Sequence, residues 1–490
     1  MLVTAFAWRE NLALGFTDVD ALADAAFAGQ PWSEQPFALL TGGVGGSNAN
    51  FWRPVVMLHY KLLRSLFGMD PFGWQIWDLG LHLVCVGLLG RLVGGWRGLV
   101  AGALFALHPL QVEVVPAVAR NIDLLLGLFV LLGLLAARRR SFAATVVFTA
   151  LALGSKETAV AALPVIVLWW GFHGRKHTLA LAGTLGAVLA AYLAVRTQVL
   201  AGLGGYGSGL GVEGFVRAFA AGPVGSLFPG WSDTFGSRHP WGVELGVGLV
   251  VLAGLGGTLA ARRREPLDWL GMGLWLVPLV LYGVTSAYSR RLMYMPLIGL
   301  AIWMSGWALH RHLRYLLVLV SASMLPHVVL VHGHDWASND QVTRSLTTDA
   351  ADLLREVPEG ARIWVMDRCV RLTEDRARVR TWTRSSLNNC VANYSIQAWA
   401  DDAIGRAHQF TLFNLSYPVT PLDEPVVRIE GDELVITRVI AGWAVYDRTR
   451  EAGWEVQRDG DTTRMRYTGE RRNDHLLIAS GRAPVLVAVP

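Results

Sequence analysis

The sequence predicts a polytopic α-helical membrane protein with a soluble α/β domain at its C-terminal end. First, 53% of the 490 residues are hydrophobic and only 17% are charged, with a mean hydropathy of +0.38, a balance outside that of soluble domains. Second, the charge is uneven: residues 1–336 hold 39 charged side chains, whereas the shorter stretch 337–490 holds 42. Third, long apolar runs recur through the first part and stop before the second. The expected domains are therefore 1–336, transmembrane with polar loops, and 337–490, an accessory α/β domain. A single soluble enzyme is excluded. The net charge of +5 is small and dispersed, which gives nucleic-acid binding no support.

Apolar runs long enough to cross about 30 Å of hydrocarbon lie near residues 74–93, 99–118, 122–137, 178–195, 243–261, 267–285, 292–309 and 313–331. Two shorter runs, 142–153 and 158–170, flank Ser155-Lys156-Glu157. Basic side chains collect in short cytoplasmic loops, and every second connection here is basic: Arg91 with Arg97, Arg138-Arg139-Arg140, Arg175-Lys176, Arg262-Arg263-Arg264, and Arg311 with Arg314. The intervening connections then face outward. They hold the remaining polar clusters, and everything after His332 joins them. This predicts a multi-pass protein of the cell inner membrane with an extracytoplasmic C-terminal domain. Polar groups gathered on one side at membrane depth also predict an outward-facing site. The amino end departs from the scheme. An outward loop at Thr17 requires a preceding crossing, but Met1–Phe16 is short and carries Arg9 and Glu10, so the first helix reads as missing or truncated.

The outward connections carry the candidate chemistry. Asp18 and Asp20 lie in the first, where a carboxylate can act as general base towards a hydroxyl, although an Asp after Thr17 also suits a helix cap. Trp52-Arg53-Pro54 begins a Pro-initiated amphipathic helix, with Arg53 where backbone amides and a guanidinium together favour an anion. His108-Pro109 leads to Glu113 and Arg120-Asn121-Ile122-Asp123 in one connection, where an internal Glu113–Arg120 ion pair is the structural alternative. Lys156-Glu157 forms the tip of a helical hairpin. Arg290 and Arg291 oppose the positive-inside trend and so read as anion ligands. No HExxH or Cys-rich ligand set occurs, and no metal is expected.

In order, Trp52-Arg53-Pro54, His108-Pro109 with Glu113 and Arg120-Asn121-Ile122-Asp123-Leu124-Leu125, Lys156-Glu157, Arg291-Leu292-Met293-Tyr294-Met295-Pro296, and Trp336 with Ser338-Asn339-Asp340 resemble the GT-C glycosyltransferases. The likeness is strongest to the transmembrane tetratricopeptide-repeat O-mannosyltransferases and to protein O-mannosyltransferases, which carry patterns such as YRP, HPxxxExV, KE and ERYLYLP. The resemblance covers about residues 17–340. It implies a GT-C membrane domain that takes a mannose-like sugar from a polyprenyl-phosphate donor, with no other cofactor, and passes it by inversion to an extracytoplasmic protein or glycan acceptor. It also implies Asp18 or Asp20 as the base, with Arg53, Arg120 and Arg291 as ligands of the donor phosphate. His108, Glu113, Asp123, Lys156 and Glu157 would be supporting residues. Two positions depart from the pattern: Thr17 replaces the first of the paired acids, and Arg290 replaces a Glu. No 34-residue period follows Trp336. The alternatives are a catalytically inactive GT-C relative and a transporter of a lipid-linked or anionic solute, since outward arginines also suit a translocation path.

Within 337–490, the pattern predicts a helix over 345–356 and strands over 361–366, 426–429, 434–439 and 485–489. Glu430-Gly431-Asp432-Glu433 joins the middle two as a hairpin. Of the three cysteines, Cys85 falls in an apolar run, where it packs as a small hydrophobe. Cys369 and Cys390 fall in the tail assigned to the oxidising side, where a disulfide would persist.

Overall fold

The computed structural model describes residues 1–14, 51–68, 70–200, 202, 222–227, 250, 265–284, 290–309, 311–331, 352–358, 361–366, 370–371, 388–389, 409–413, 426–437, 454–459, 462–469, 474–478 and 485–489. The chain divides into two compact units, one holding the helices through Val331 and one holding the strands from Arg362.

The helical unit comprises α1 (Leu2–Ala7), α2 (Pro54–Phe67), α3 (Pro71–Val93), α4 (Gly95–Ala106), α5 (Asn121–Arg138), α6 (Phe142–Ser155), α7 (Ala162–His173), α8 (Thr178–Val199), α9 (Pro266–Val284), α10 (Tyr294–Ser305) and α11 (Arg311–Val331). Among the described residues, α3, α5, α8 and α9 are long and apolar enough to cross a membrane. The start of α3 follows from its sequence: Asp70 accepts a hydrogen bond from the Phe72 amide at 3.1 Å, and Pro71 occupies a first-turn position where no amide is needed. It ends at Gly94, whose φ of +79° turns the chain directly into α4. Both α2 and α8 leave apolar side chains exposed, including Leu58, Leu62, Leu66 and Leu179, as expected of helices facing lipid.

The apolar run 99–118 does not form one spanning helix. Helix α4 ends at Ala106, and the chain continues as 3-10 turns at Pro109–Glu113 and Val118–Arg120. Proline explains the break, since Pro109 and Pro116 cannot donate to a helix and disfavour helical geometry in the residue before them. The run 292–309 likewise holds only the twelve-residue helix α10, between 3-10 turns at Arg290–Met293 and Gly306–Leu309, and is shorter than a span; the other predicted runs correspond to helices, except 243–261, of which only residue 250 is described.

Polar contacts sort to the two ends of this bundle. At one end, Arg97 donates to Glu265 at 2.9 Å, Asp268 at 2.6 Å and Ser305 at 3.3 Å, and Arg138 donates to the Leu92 carbonyl at 2.7 Å. Arg97 thus joins α4, α9 and α10 through a buried ion pair, in addition to belonging to a basic loop. At the other end lie the start of α3, the turns between α4 and α5, the α6–α7 junction and the start of α2. There Gln75 donates to the Pro116 carbonyl at 3.2 Å, and Asn11 donates to that of Val115 at 3.3 Å.

The second unit contains β1 (Arg362–Met366), β2 (Val370–Arg371), β3 (Asn388–Asn389), β4 (Gln409–Phe413), β5 (Val426–Glu430), β6 (Glu433–Thr437), β7 (Trp454–Asp459), β8 (Thr462–Tyr467), β9 (His475–Ile478) and β10 (Val485–Ala488). One sheet runs β10-β9-β1-β4, with β1 parallel to both β4 and β9. A second is antiparallel throughout, in the order β5-β6-β8-β7, so the chain crosses from β6 to the far edge before β8 returns between them. The expected hairpin is present: Gly431 alone of the turn pair has positive φ, +66°, as a turn with glycine first requires. Arg362 binds the Asp474 carboxylate at 2.9 and 2.5 Å and the Tyr467 hydroxyl at 2.6 Å, linking the two sheets. Of the predicted helix 345–356, residues 352–354 are helical and 345–351 lie outside the described residues.

Candidate active site

The candidate site is assembled from short connections at one end of the helical unit. The α6–α7 junction delivers two neighbouring charges in opposite directions, because Lys156 is extended (φ −157°, ψ 135°) between Ser155 and the 3-10 turn Glu157–Ala161. Lys156 Nζ reaches Asp123 Oδ1 in the first turn of α5 at 2.5 Å, with both side chains 2% exposed. Glu157 turns towards α2, where Arg53 grips it with two parallel bonds, Nε to Oε2 at 3.1 Å and NH2 to Oε1 at 2.9 Å. This fork is the strong, oriented form of an arginine–carboxylate pair. The Phe51 ring lies 4.2 Å beneath the guanidinium.

Arg196, near the C-terminal end of α8, approaches Glu157 to 4.0 Å and donates to the Tyr192 hydroxyl at 3.0 Å. The Tyr192 ring packs on Trp52 at 5.4 Å. Neither Arg196 nor Tyr192 stands out in the sequence. The available clue was their i, i+4 spacing at the polar end of an apolar run.

These contacts set the state of Glu157, which sits at the hairpin tip outside the spanning helices. Burial pushes its carboxyl up, but the Arg53 charge and hydrogen bonds, aided by the Lys156 charge, outweigh this and hold it at about 2. A carboxyl depressed in the folded state stabilises the protein above its unfolded value, and this stability disappears as the pH falls through the folded value. The melting temperature of the wild type is therefore expected to fall between pH 4.5 and 2 more steeply than that of Glu157→Gln. Parallel slopes would contradict the pairing.

His108 has both ring nitrogens engaged. Nδ1 accepts from the Leu110 amide at 3.2 Å and so begins the 3-10 turn Pro109–Glu113. Nε2 lies 2.8 Å from the Ser226 carbonyl, which assigns the proton to Nε2. His108 is thus a buried bracket between two backbone segments. Arg120 precedes α5 as its N-cap and is half-buried. The 3-10 turn Arg290–Met293 packs against Pro109–Glu113, bringing the backbone of Arg291 to this end, while the Arg291 and Glu113 side chains lie outside the described residues. So do Thr17, Asp18, Asp20, Trp336, Ser338, Asn339, Asp340, Cys369 and Cys390. Cys85 is buried and free, with Sγ 3.7 Å from the Leu124 carbonyl.

The arrangement brings together Arg53, Glu157, Lys156 and Asp123, with Arg196 added. It does not offer Arg53 as an open anion ligand: a phosphate at that position would have to displace Glu157 or share the guanidinium with it.

No protein-family model matches the chain. Over 192 residues it is 32% identical to protein O-mannosyl-transferase Tmtc2 of Drosophila melanogaster, covering 33% of this chain and 20% of that one. It is 36% identical over 137 residues to Tmtc1 of the same organism, covering 26% and 16%, and 33% identical over 95 residues to TMTC2 of Mus musculus, covering 18% and 11%. The chain therefore spans a fifth or less of the length of these relatives. Among solved structures, ArnT from Cupriavidus metallidurans bound to undecaprenyl phosphate gives a TM-score of 0.45 at 13% identity, over 95% of this chain and 96% of that one.

Proposed function

We propose that the chain is a GT-C glycosyltransferase that moves a mannose-like sugar from a polyprenyl-phosphate donor to an extracytoplasmic protein or glycan acceptor. The observation that carries the reading is the local identity of 32–36% to named protein O-mannosyl-transferases. In the proposed reaction, Asp18 or Asp20 takes the proton from the acceptor hydroxyl, and the acceptor oxygen attacks the anomeric carbon from the face opposite the phosphate. The bond to the phosphate oxygen breaks, and polyprenyl phosphate leaves with the electron pair. The leaving group gains negative charge, so Arg120 and Arg291 stabilise this step by lying close to it. Arg53, already oriented by Glu157, contributes if its guanidinium is shared.

Binding of sugar-free polyprenyl phosphate to the protein in nanodiscs tests the donor assignment. Arg120→Gln and Arg291→Gln are each expected to weaken binding about tenfold, the equivalent of about 1.4 kcal/mol. Unchanged affinity in both would remove these residues from the site. The sidedness of the reading is tested separately. A reporter fused after Val331 is expected to be extracytoplasmic, and fusions after Arg140 or Arg264 cytoplasmic, because Arg-rich short loops fix orientation. Cytoplasmic activity of the first fusion would reverse the scheme.

A further inference from the structure

Two guanidinium groups converge on one carboxylate at the active end. Arg53, the N-cap residue of α2, holds Glu157 through its fork at 3.1 and 2.9 Å. Arg196, within α8, faces the same carboxylate from 4.0 Å, beyond hydrogen-bonding reach. Both cations are fixed by second contacts. The Arg53 side chain is 9% exposed and lies over the Phe51 ring, whereas that of Arg196 is 4% exposed and donates to Tyr192, whose own ring packs on Trp52. Glu157 differs from them. It is 23% exposed and belongs to the 3-10 turn between α6 and α7 rather than to a long helix. Arg53 also makes no side-chain capping bond at the start of α2, so the positive end of that helix adds to the field at the same point.

A phosphate has enough oxygens to accept from both arginines, whereas Glu157 accepts from Arg53 and not from Arg196. If phosphate and Glu157 shared Arg53, two anions would stand side by side in a poorly solvated site. Release of Glu157 removes that repulsion. The charges of the proposed reaction point the same way: the donor diester carries a single negative charge and the departing monoester about two, and two guanidiniums match the second better than the first. On the basis of the transferase reading, we propose that Glu157 is a built-in counter-ion that the donor phosphate displaces, and that Arg196, held by Tyr192, then becomes the second phosphate ligand beside Arg53. The exposed, turn-borne carboxylate is the part that moves, and the two buried cations are the part that stays.

Binding of polyprenyl phosphate to the full chain in nanodiscs reads both roles. Glu157→Gln is near-isosteric and removes the competing charge, so it is expected to bind this lipid about tenfold more tightly than the wild type. Arg196→Gln should bind it about tenfold more weakly, and Arg196→Lys, which keeps the charge without the planar fork, should recover part of the loss. Polyprenol, which lacks the phosphate, is the control, and none of the three variants should change its binding. Glu157→Gln that binds polyprenyl phosphate no more tightly than the wild type would overturn the displacement while leaving the donor assignment intact. The arginine variants keep the test valid if Glu157→Gln fails to fold: unchanged affinity in Arg196→Gln, or an equal loss of polyprenol binding, would overturn the role of Arg196. A wild type that binds no polyprenyl phosphate would remove the donor assignment itself, and this proposal with it.

Discussion

Replacing Lys156 with alanine is expected to destabilise the folded chain by about 3–5 kcal/mol, the cost of leaving a buried carboxylate without its cation. Lys156 and Asp123 are each 2% exposed and 2.5 Å apart, so water cannot replace the missing charge. The double variant Lys156→Met with Asp123→Asn should recover most of the loss, because removing both charges also removes the desolvation cost. Thermal melts of the three proteins in detergent decide it. A single variant as stable as the wild type would mean that Asp123 has another partner.

Gly299→Ala is expected to damage folding as well, for a steric reason. A Cβ at this position of α10 would lie 2.3 Å from the Trp275 nitrogen and 2.6 Å from the Gly271 carbonyl oxygen of α9. Both are backbone atoms in a regular helix, so the clash is relieved only by moving the helices apart. That movement would unpack Trp275 and Trp303, which are both fully buried and whose rings lie 5.7 Å apart. Small residues allow such close approach of membrane helices, and overpacking a tight contact costs about 3 kcal/mol at the severe end. Gly186→Ala on α8, where the new Cβ meets nothing within 4 Å, is the control. The first variant should lose its folded peak in size-exclusion chromatography, and the second should keep it.

Most of the helical architecture was legible because membrane spans follow from apolar length and the punctuation of Asp70, Pro71 and Gly94. The 99–118 run misled because composition alone is blind to the backbone: its residues are apolar enough, but Pro109 and Pro116 prevent a continuous helix. At the site, sequence picked out Arg53, Asp123, Lys156 and Glu157 as charged residues beside membrane spans, which are costly there and so conspicuous. Their pairing was hidden, since Arg53 and Glu157 are separated by 104 positions. The same holds for Asp78, a single acid within an apolar run, which is buried on α3 and hydrogen-bonded by the Asn121 side chain at the start of α5. Arg97 was read for topology by its charge alone, and its buried bond to Asp268 depends on the fold. The hairpin at Gly431 was readable because its turn chemistry is local.

The proposed transfer of sugar from a polyprenyl-phosphate donor requires a carboxylate in the first outward loop. The most direct measurement is an in vitro assay of the purified full chain with radiolabelled polyprenyl-phosphate mannose and a panel of protein and glycan acceptors, alongside Asp18→Asn, Asp20→Asn and the double variant. The account predicts label in an acceptor with the wild type, a loss of about 10²-fold or more in the variant lacking the base, and no transfer by the double variant. Folded wild-type protein that transfers no sugar from this or any other polyprenyl-phosphate donor, or a double variant as active as the wild type, would contradict it.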